Sequence, residues 1–261
     1  MHLSFDAIAS QFDSQRGLPR AALRAWMELV DELAHGHQVR IVESGIGTGR
    51  VALPLAMAGH HITGADISQP MLDACKESAR KLKVADQLTL LNADATDMPL
   101  PDHAFDLGLI AQVLYLVPDW PALLDELARL VKPGGHVIHL TEPTVEGAAL
   151  ARWSSTWREM IEETGFRHTD LSPTDAEVQA EFLRRWPDVE IRELASWSFG
   201  QSVAQAREDY AARLRPLYAS VPDDKWRTAT DRFLGWAAQE FPHGDERLEG
   251  TVTLTAMIAA V

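Results

Sequence analysis

Cysteine is almost absent from this chain: Cys75 is the only one in 261 residues. No disulfide can therefore form within it, which suits a reducing compartment. Long apolar runs are missing as well, and no stretch approaches the ~18 consecutive apolar residues of a membrane-spanning helix. The opening MHLSFDAIASQFD has no basic region followed by an apolar run, so a secretory leader is not expected and a cytoplasmic protein is. Basic runs are lacking too. Lys and Arg number 24 against 38 Asp and Glu, a formal charge of −14. Nucleic acids and membrane surfaces are anionic, so neither is an expected partner, and a small molecule is. Repeats and low-complexity tracts are also absent. What is present is a 46% hydrophobic composition, enough to fill the core of one large domain or of a domain with an insertion.

From about residue 39 to 142, short apolar runs alternate with amphipathic stretches. VRIVES (39–44), HITGAD (61–66), LTLLNAD (88–94), FDLGLIA (105–111) and HVIHLTE (136–142) read as strands. GRVALPLAMAG, a segment from Pro70 to Lys83 entered through Ser68, and DWPALLDELARLV closed by KPGG read as helices. This alternation predicts an α/β fold: a Rossmann-like, mostly parallel sheet with helices on both faces. Right-handed crossovers bring the C-terminal strand ends to one edge, where open α/β sheets bind ligands. Past Pro143 the pattern changes. Helices are expected at 146–164, 174–186, 202–219 and 223–240, with strands at 189–199 and 251–259. The implied organisation is an N-terminal helical segment (1–38) closing the site, an α/β core (39–145), and a C-terminal part (146–261). Helical insertions at 146–172 and 202–245 in that last part would form a lid.

The ligand edge opens with ESGIGTGR, where Gly45, Gly47 and Gly49 alternate between a buried strand and a helix. Missing side chains let the backbone approach a ligand, and the helix start offers free N–H groups. Alone, the loop suits a dinucleotide, a phosphate or a sulfonium nucleoside. Asp66 ends the next strand, where a carboxylate can accept from both ribose hydroxyls. Asp94 ends the third strand, positioned to accept from an adenine amino group, with the Ala95 N–H near a ring nitrogen.

The run FDAIASQFD, IVESGIGTGR, GADIS, NADATDMPLPDHAFD, QVLYLVPDW and LARLVKPGGHVIH resembles the class I S-adenosylmethionine-dependent methyltransferases, in their small-molecule branch. The resemblance implies a seven-stranded sheet with an antiparallel last strand. It implies S-adenosylmethionine as cofactor and S-adenosylhomocysteine as product. It also implies that Glu43, Gly45 and Gly47 lie at the methionyl end, Asp66 at the ribose, and Ile67, Asp94 and Ala95 at the adenine. Gln112 would face the methyl region. This chain departs from common patterns at Phe12, often tyrosine, at Glu43, often aspartate, and at Ile46, often cysteine. A nicotinamide-dependent dehydrogenase would want G-x-G-x-x-G, and position 50 is Arg. A sensor or scaffold that binds the same cofactor without turnover would carry the same motifs.

Methyl transfer needs an in-line acceptor, and a general base only if the acceptor must lose a proton. His139 and Glu142, toward the end of the fifth strand, are candidate bases, and Tyr115 is a candidate for orienting the acceptor. Arg16 is a candidate partner for a carboxylate. No metal is expected: His136 and His139 point to opposite faces of their strand, and Glu142 lies ~20 Å along it from His136. Six of the eight tryptophans follow residue 142. Trp153 and Trp157 would line a pocket for a small apolar or aromatic substrate.

Overall fold

The structure is a computed structural model that describes residues 18–166, 173–213 and 221–261. In chain order the first elements are α1 (Arg20–Leu33), β1 (Arg40–Ser44), α2 (Ala52–Met57), β2 (His61–Asp66), α3 (Gln69–Leu82), β3 (Leu88–Asn92), β4 (Phe105–Ala111) and α4 (Trp120–Leu130). Then come β5 (Val131–Thr141), β6 (Thr144–Glu146), α5 (Ala148–Glu162), α6 (Asp175–Arg185), β7 (Val189–Ser202), α7 (Val203–Ala211), α8 (Asp223–Glu240) and β8 (Arg247–Ala260). These residues form two compact units. One holds the described residues up to 142 together with 173–195 and 254–261, and the other holds the rest.

In the first unit the strands run in the order β3–β2–β1–β4–β5–β8. The pairs among β1 to β5 are parallel, and β8 is antiparallel to β5, with His139 opposite Met257. The α/β expectation therefore holds, including the antiparallel final strand. β1 shows why a parallel sheet reads as a solid apolar run: four of its five residues are buried, because helices cover both faces. Connectivity reverses between β1 and β4, so their C-terminal ends splay and leave a crevice.

Local signals set the helix boundaries. The Ser68 hydroxyl accepts the Met71 N–H at 3.4 Å, Pro70 takes a first-turn position where no N–H is missed, and Lys83 closes α3 in a left-handed conformation at φ 61°. α1 buries Ala22, Trp26, Leu29 and Val30 on one face. The Trp26 indole N–H donates to the Val51 carbonyl at 3.1 Å, tying α1 to the entry of α2. Leu123, Leu124, Leu127 and Leu130 of α4 are fully buried against the sheet. Each contributes about 1.5–3 kcal/mol by leaving water.

Two boundaries differ from the sequence reading. KPGG does not separate helix from strand, because β5 already starts at Val131. The Gly134 N–H donates to the Val261 carbonyl at 2.7 Å, so long-range pairing recruits the segment into the sheet. Eight strands are present among the described residues rather than seven. The additional one, β6, is three residues long, too short to show a period, and exists because it pairs with 250–252 of β8.

The second unit has its own core. Trp153 and Trp157 of α5 are 1% and 2% exposed, and they meet Tyr210, Trp226 and Phe233 edge-on. Ring centroids lie 4.9 Å apart for Trp153–Phe233 and 4.8 Å for Trp157–Trp226, and each such pair contributes about 0.5–1.5 kcal/mol beyond area burial. This corrects the expectation that the two indoles line a substrate pocket: both are buried against rings of α7 and α8. The helix expected over 202–219 is also shorter. It runs Val203–Ala211, with the Ser202 hydroxyl accepting the Gln205 N–H at 3.2 Å, and 214–220 lie outside the described residues.

Candidate functional site

β1 delivers the chain to the crevice at Ser44, and the glycine loop turns there. Gly45, Gly47 and Gly49 have φ of 71°, 55° and 86°, in the left-handed region that favours glycine. The N–H groups of Gly45 and Ile46 both donate to the Ala65 carbonyl, at 2.8 and 3.0 Å, pinning the loop across β2. Ile46 in turn needs Gly64, where any Cβ would lie 2.2 Å from the Ile46 Cδ1. A Cβ on Gly47 would meet nothing within 4 Å, so that backbone faces open space.

Asp66 is the hub of the loop. One carboxylate oxygen accepts the Gly47 N–H at 2.8 Å and the other accepts the Ser68 N–H at 2.9 Å. The same side chain thus shapes the glycine turn and the entry to α3. Glu43, one residue before the end of β1, is 2% exposed, and its Oε2 has no hydrogen-bond partner among the described residues. Burial pushes its carboxyl well above the usual carboxylate range. The Arg50 guanidinium opposes that rise and the Asp66 charge adds to it.

These residues line a cleft of about 1040 Å³ counted with its open mouth. The loop after β3 supplies the opposite wall. There the Asp94 Oδ1 accepts the Thr96 N–H at 2.9 Å and its hydroxyl at 2.8 Å. α4 braces this loop: Arg129 donates to the carbonyls of Met98 and Leu100 at 3.1 and 2.8 Å, and Glu126 accepts the Met98 N–H at 2.7 Å. After β4, Gln112 adopts φ 56°, a strained conformation for a side chain with a Cβ. That turn packs Val113 beneath Gly45, where a Cβ would lie 2.4 Å from the Val113 Cγ2. Ile67 stands 44% exposed on the cleft wall, an apolar surface suited to a planar ring. Asp66 and Asp94 share the lining with one guanidinium, that of Arg50, which Glu142 engages in turn, so the field there favours cationic ligands.

All eight residues assigned to the cofactor line this cleft, and so does Tyr115. His139 does not. Strand alternation turns it to the sheet face covered by α6, where it stacks on Phe182 with ring centroids 6.0 Å apart. It is buried, and desolvation pushes its pKa down to about 4. It is therefore a neutral core residue rather than a base in the cleft. The unfolded chain takes up a proton below about 6.5 that the folded one refuses until about 4, so His139 weakens the fold progressively as pH falls across that window. The full shift corresponds to about 3 kcal/mol. His139→Leu should flatten the pH dependence of the melting temperature between pH 7 and 4.5. An unchanged slope would place the acid sensitivity elsewhere.

Glu142 is also off the cleft lining and engages Arg50, with both side chains 19% exposed. Arg50 itself lines the cleft; its pairing with a carboxylate 92 residues away left no local trace in the sequence. Arg16, and Phe12 with it, lie outside the described residues. Among the described residues no three His, Cys, Asp or Glu side chains are grouped to hold a metal ion.

Residues 42–139 match the Methyltransferase domain family. This segment is similar to methyltransferase domains. Around it, 158 residues are 31% identical to a demethylmenaquinone methyltransferase of Clavibacter sepedonicus, covering 60% of this chain and 62% of that one. A ubiquinone/menaquinone biosynthesis C-methyltransferase of Geotalea daltonii is 33% identical over 141 residues, covering 52% of this chain and 60% of its own. The chain therefore spans somewhat less than two thirds of the length of these relatives. The solved YcgJ protein of Bacillus subtilis superposes with a TM-score of 0.58 at 16% identity, over 91% of this chain and 99% of that one, a likeness of fold.

Proposed function

We propose that the protein is an S-adenosylmethionine-dependent methyltransferase acting on a small apolar or aromatic molecule. The observation that carries this reading is the convergence of Glu43, Gly45, Gly47, Asp66, Ile67, Asp94, Ala95 and Gln112, from four separate strand ends, on one cleft. The residues suit such a cofactor chemically. Glu43 presents a buried carboxylate oxygen with no partner among the described residues, the requirement of an ammonium group. Gly47 leaves a space beside its backbone, and Ile67 offers an apolar wall. When bound, the cofactor supplies an activated sulfonium methyl. The chain binds and orients: Asp66 and Asp94 supply acceptors for hydroxyl and amino groups, Gln112 and Tyr115 border the acceptor region, and the acidic lining favours the charged reactant.

Relatives that methylate demethylmenaquinone support an aromatic, quinol-like acceptor, whose ring carbon is nucleophilic once an adjacent hydroxyl ionises. Cytoplasmic location and a small-molecule partner, not a nucleic acid, accord with the charge of −14; no described helix is long and apolar enough to cross a membrane.

The test pairs calorimetry of S-adenosylhomocysteine binding with mass spectrometry of a reaction holding S-adenosylmethionine and 1,4-naphthohydroquinone. A methylated ring and matching S-adenosylhomocysteine are the expected result. Binding with no product from this or related quinols and phenols would favour a sensor, and no binding would overturn the cofactor assignment. Gly47→Ala adds a finer check. The αL backbone costs about 1 kcal/mol with alanine, and the new methyl fills space in the cleft. Its melting temperature should drop only a few degrees while S-adenosylhomocysteine affinity falls on the order of tenfold.

A further inference from the structure

Glu43 and Arg50 pose a problem that the proposed reaction does not by itself resolve. Glu43 is buried with an oxygen lacking a partner among the described residues, a costly place for a negative charge. Arg50 lines the same cleft, and its positive charge acts on Glu43, yet its guanidinium is held by Glu142 at the end of β5. Glu142 thus does two opposed things: it fixes the guanidinium in place and offsets part of its charge. The remaining charged groups around Glu43 are Asp66 at the end of β2 and Asp94 after β3, both acidic. β4 contributes the uncharged Gln112 and Tyr115 to the lining.

We propose that Arg50, clamped by Glu142, is a positioning residue that governs the charge of the buried Glu43, so that docking of a cationic ligand end there expels one proton from the protein. The inference rests on the cofactor reading above. In the empty cleft, burial lets the Glu43 carboxyl keep its proton to a pH above the usual carboxylate range. An arriving ammonium group supplies the missing partner, the O–H bond breaks, the proton leaves to solvent, and the carboxylate retains the electron pair. Below the carboxyl's own titration point, binding releases a proton and affinity rises with pH; above it, no proton is exchanged. Removing the guanidinium moves that boundary to higher pH, because an opposite charge favours the ionised carboxyl.

Calorimetry of S-adenosylhomocysteine binding, in buffers of different ionisation enthalpy from pH 5.5 to 8, reads the proton count directly. Wild type should release up to one proton at the acid end, declining toward alkaline pH, and Glu43→Gln should release none beyond the background of other groups. Arg50→Met should carry the release, and the rise in affinity, to higher pH, while Arg50→Lys restores most of the wild-type profile. Should Arg50→Met fail to fold, Glu142→Gln tests the same coupling with the opposite sign: the guanidinium loses its counter-charge and the profile moves toward acid. A tight complex formed without proton exchange at any pH would overturn the proposal. So would an Arg50→Met profile that matches wild type but is uniformly weaker, since that is the signature of a merely structural arginine. Failure of S-adenosylhomocysteine to bind at all would instead fell the cofactor reading.

Discussion

Asp66→Ala is expected to abolish cofactor binding in practice, lowering S-adenosylhomocysteine affinity on the order of 100-fold or more. Two losses combine. The carboxylate is the proposed acceptor for the ribose hydroxyls, and charge-assisted hydrogen bonds are each worth about 1.5–3 kcal/mol. It also holds the Gly47 and Ser68 N–H groups, so its removal frees the glycine turn and the entry to α3 together. Thermal melts separate the two contributions: loss of those backbone contacts alone should cost about 1–3 kcal/mol of stability. Asp66→Asn sharpens the result. It keeps one oxygen acceptor, so its fold should stay nearer wild type while affinity still falls. Wild-type affinity in a folded Asp66→Ala protein would sink the site assignment.

Glu43→Gln should separate stability from binding in the opposite direction. In wild type the folded carboxyl titrates well above the unfolded one. The folded state therefore holds a proton that the unfolded chain has lost, and stability falls as pH rises from about 4.5 through the folded titration point. The amide carries no charge and removes that decline. The variant's melting temperature in the absence of ligand should gain on wild type between pH 6 and pH 8. Its S-adenosylhomocysteine affinity at pH 8 should drop about tenfold or more, because an amide pairs with an ammonium far more weakly than a carboxylate does. A variant no more stable at pH 8 than wild type, or one that binds equally well, would deny Glu43 its role. A binding site that costs the empty protein stability is the trade expected of a pocket held ready for a cation.

The contrast between Asp66 and His139 shows how far local sequence reaches. Asp66 ends a short apolar strand directly before a capped helix, so its place at the ligand edge follows from its neighbours in the chain. His139 also lies toward a C-terminal strand end. Its fate depended on which face of β5 it took and on α6, whose Phe182 meets it from 43 residues further along. Glu142 repeats the lesson: Arg50, which closes the glycine motif, claims its carboxylate, and no local period connects positions 50 and 142. Trp153 and Trp157 sat on one side of an amphipathic helix, a pattern that states burial without naming the partner. Tyr210, Trp226 and Phe233 supplied the partners, and the indoles became core.

The sequence by itself determined the alternation of strands and helices, the ligand edge, the glycine turn and the acids at the ends of β2 and β3. Those features follow from side-chain period, capping and backbone conformational freedom, which act over a few residues. Only the tertiary structure decided that Glu43 would be buried with an oxygen to satisfy, that Arg50 would be shared with Glu142, and that His139 would be a neutral core residue. Burial and pairing are set by groups brought together from distant parts of the chain, and the free energy of a charge depends on that surrounding far more than on the residue that carries it.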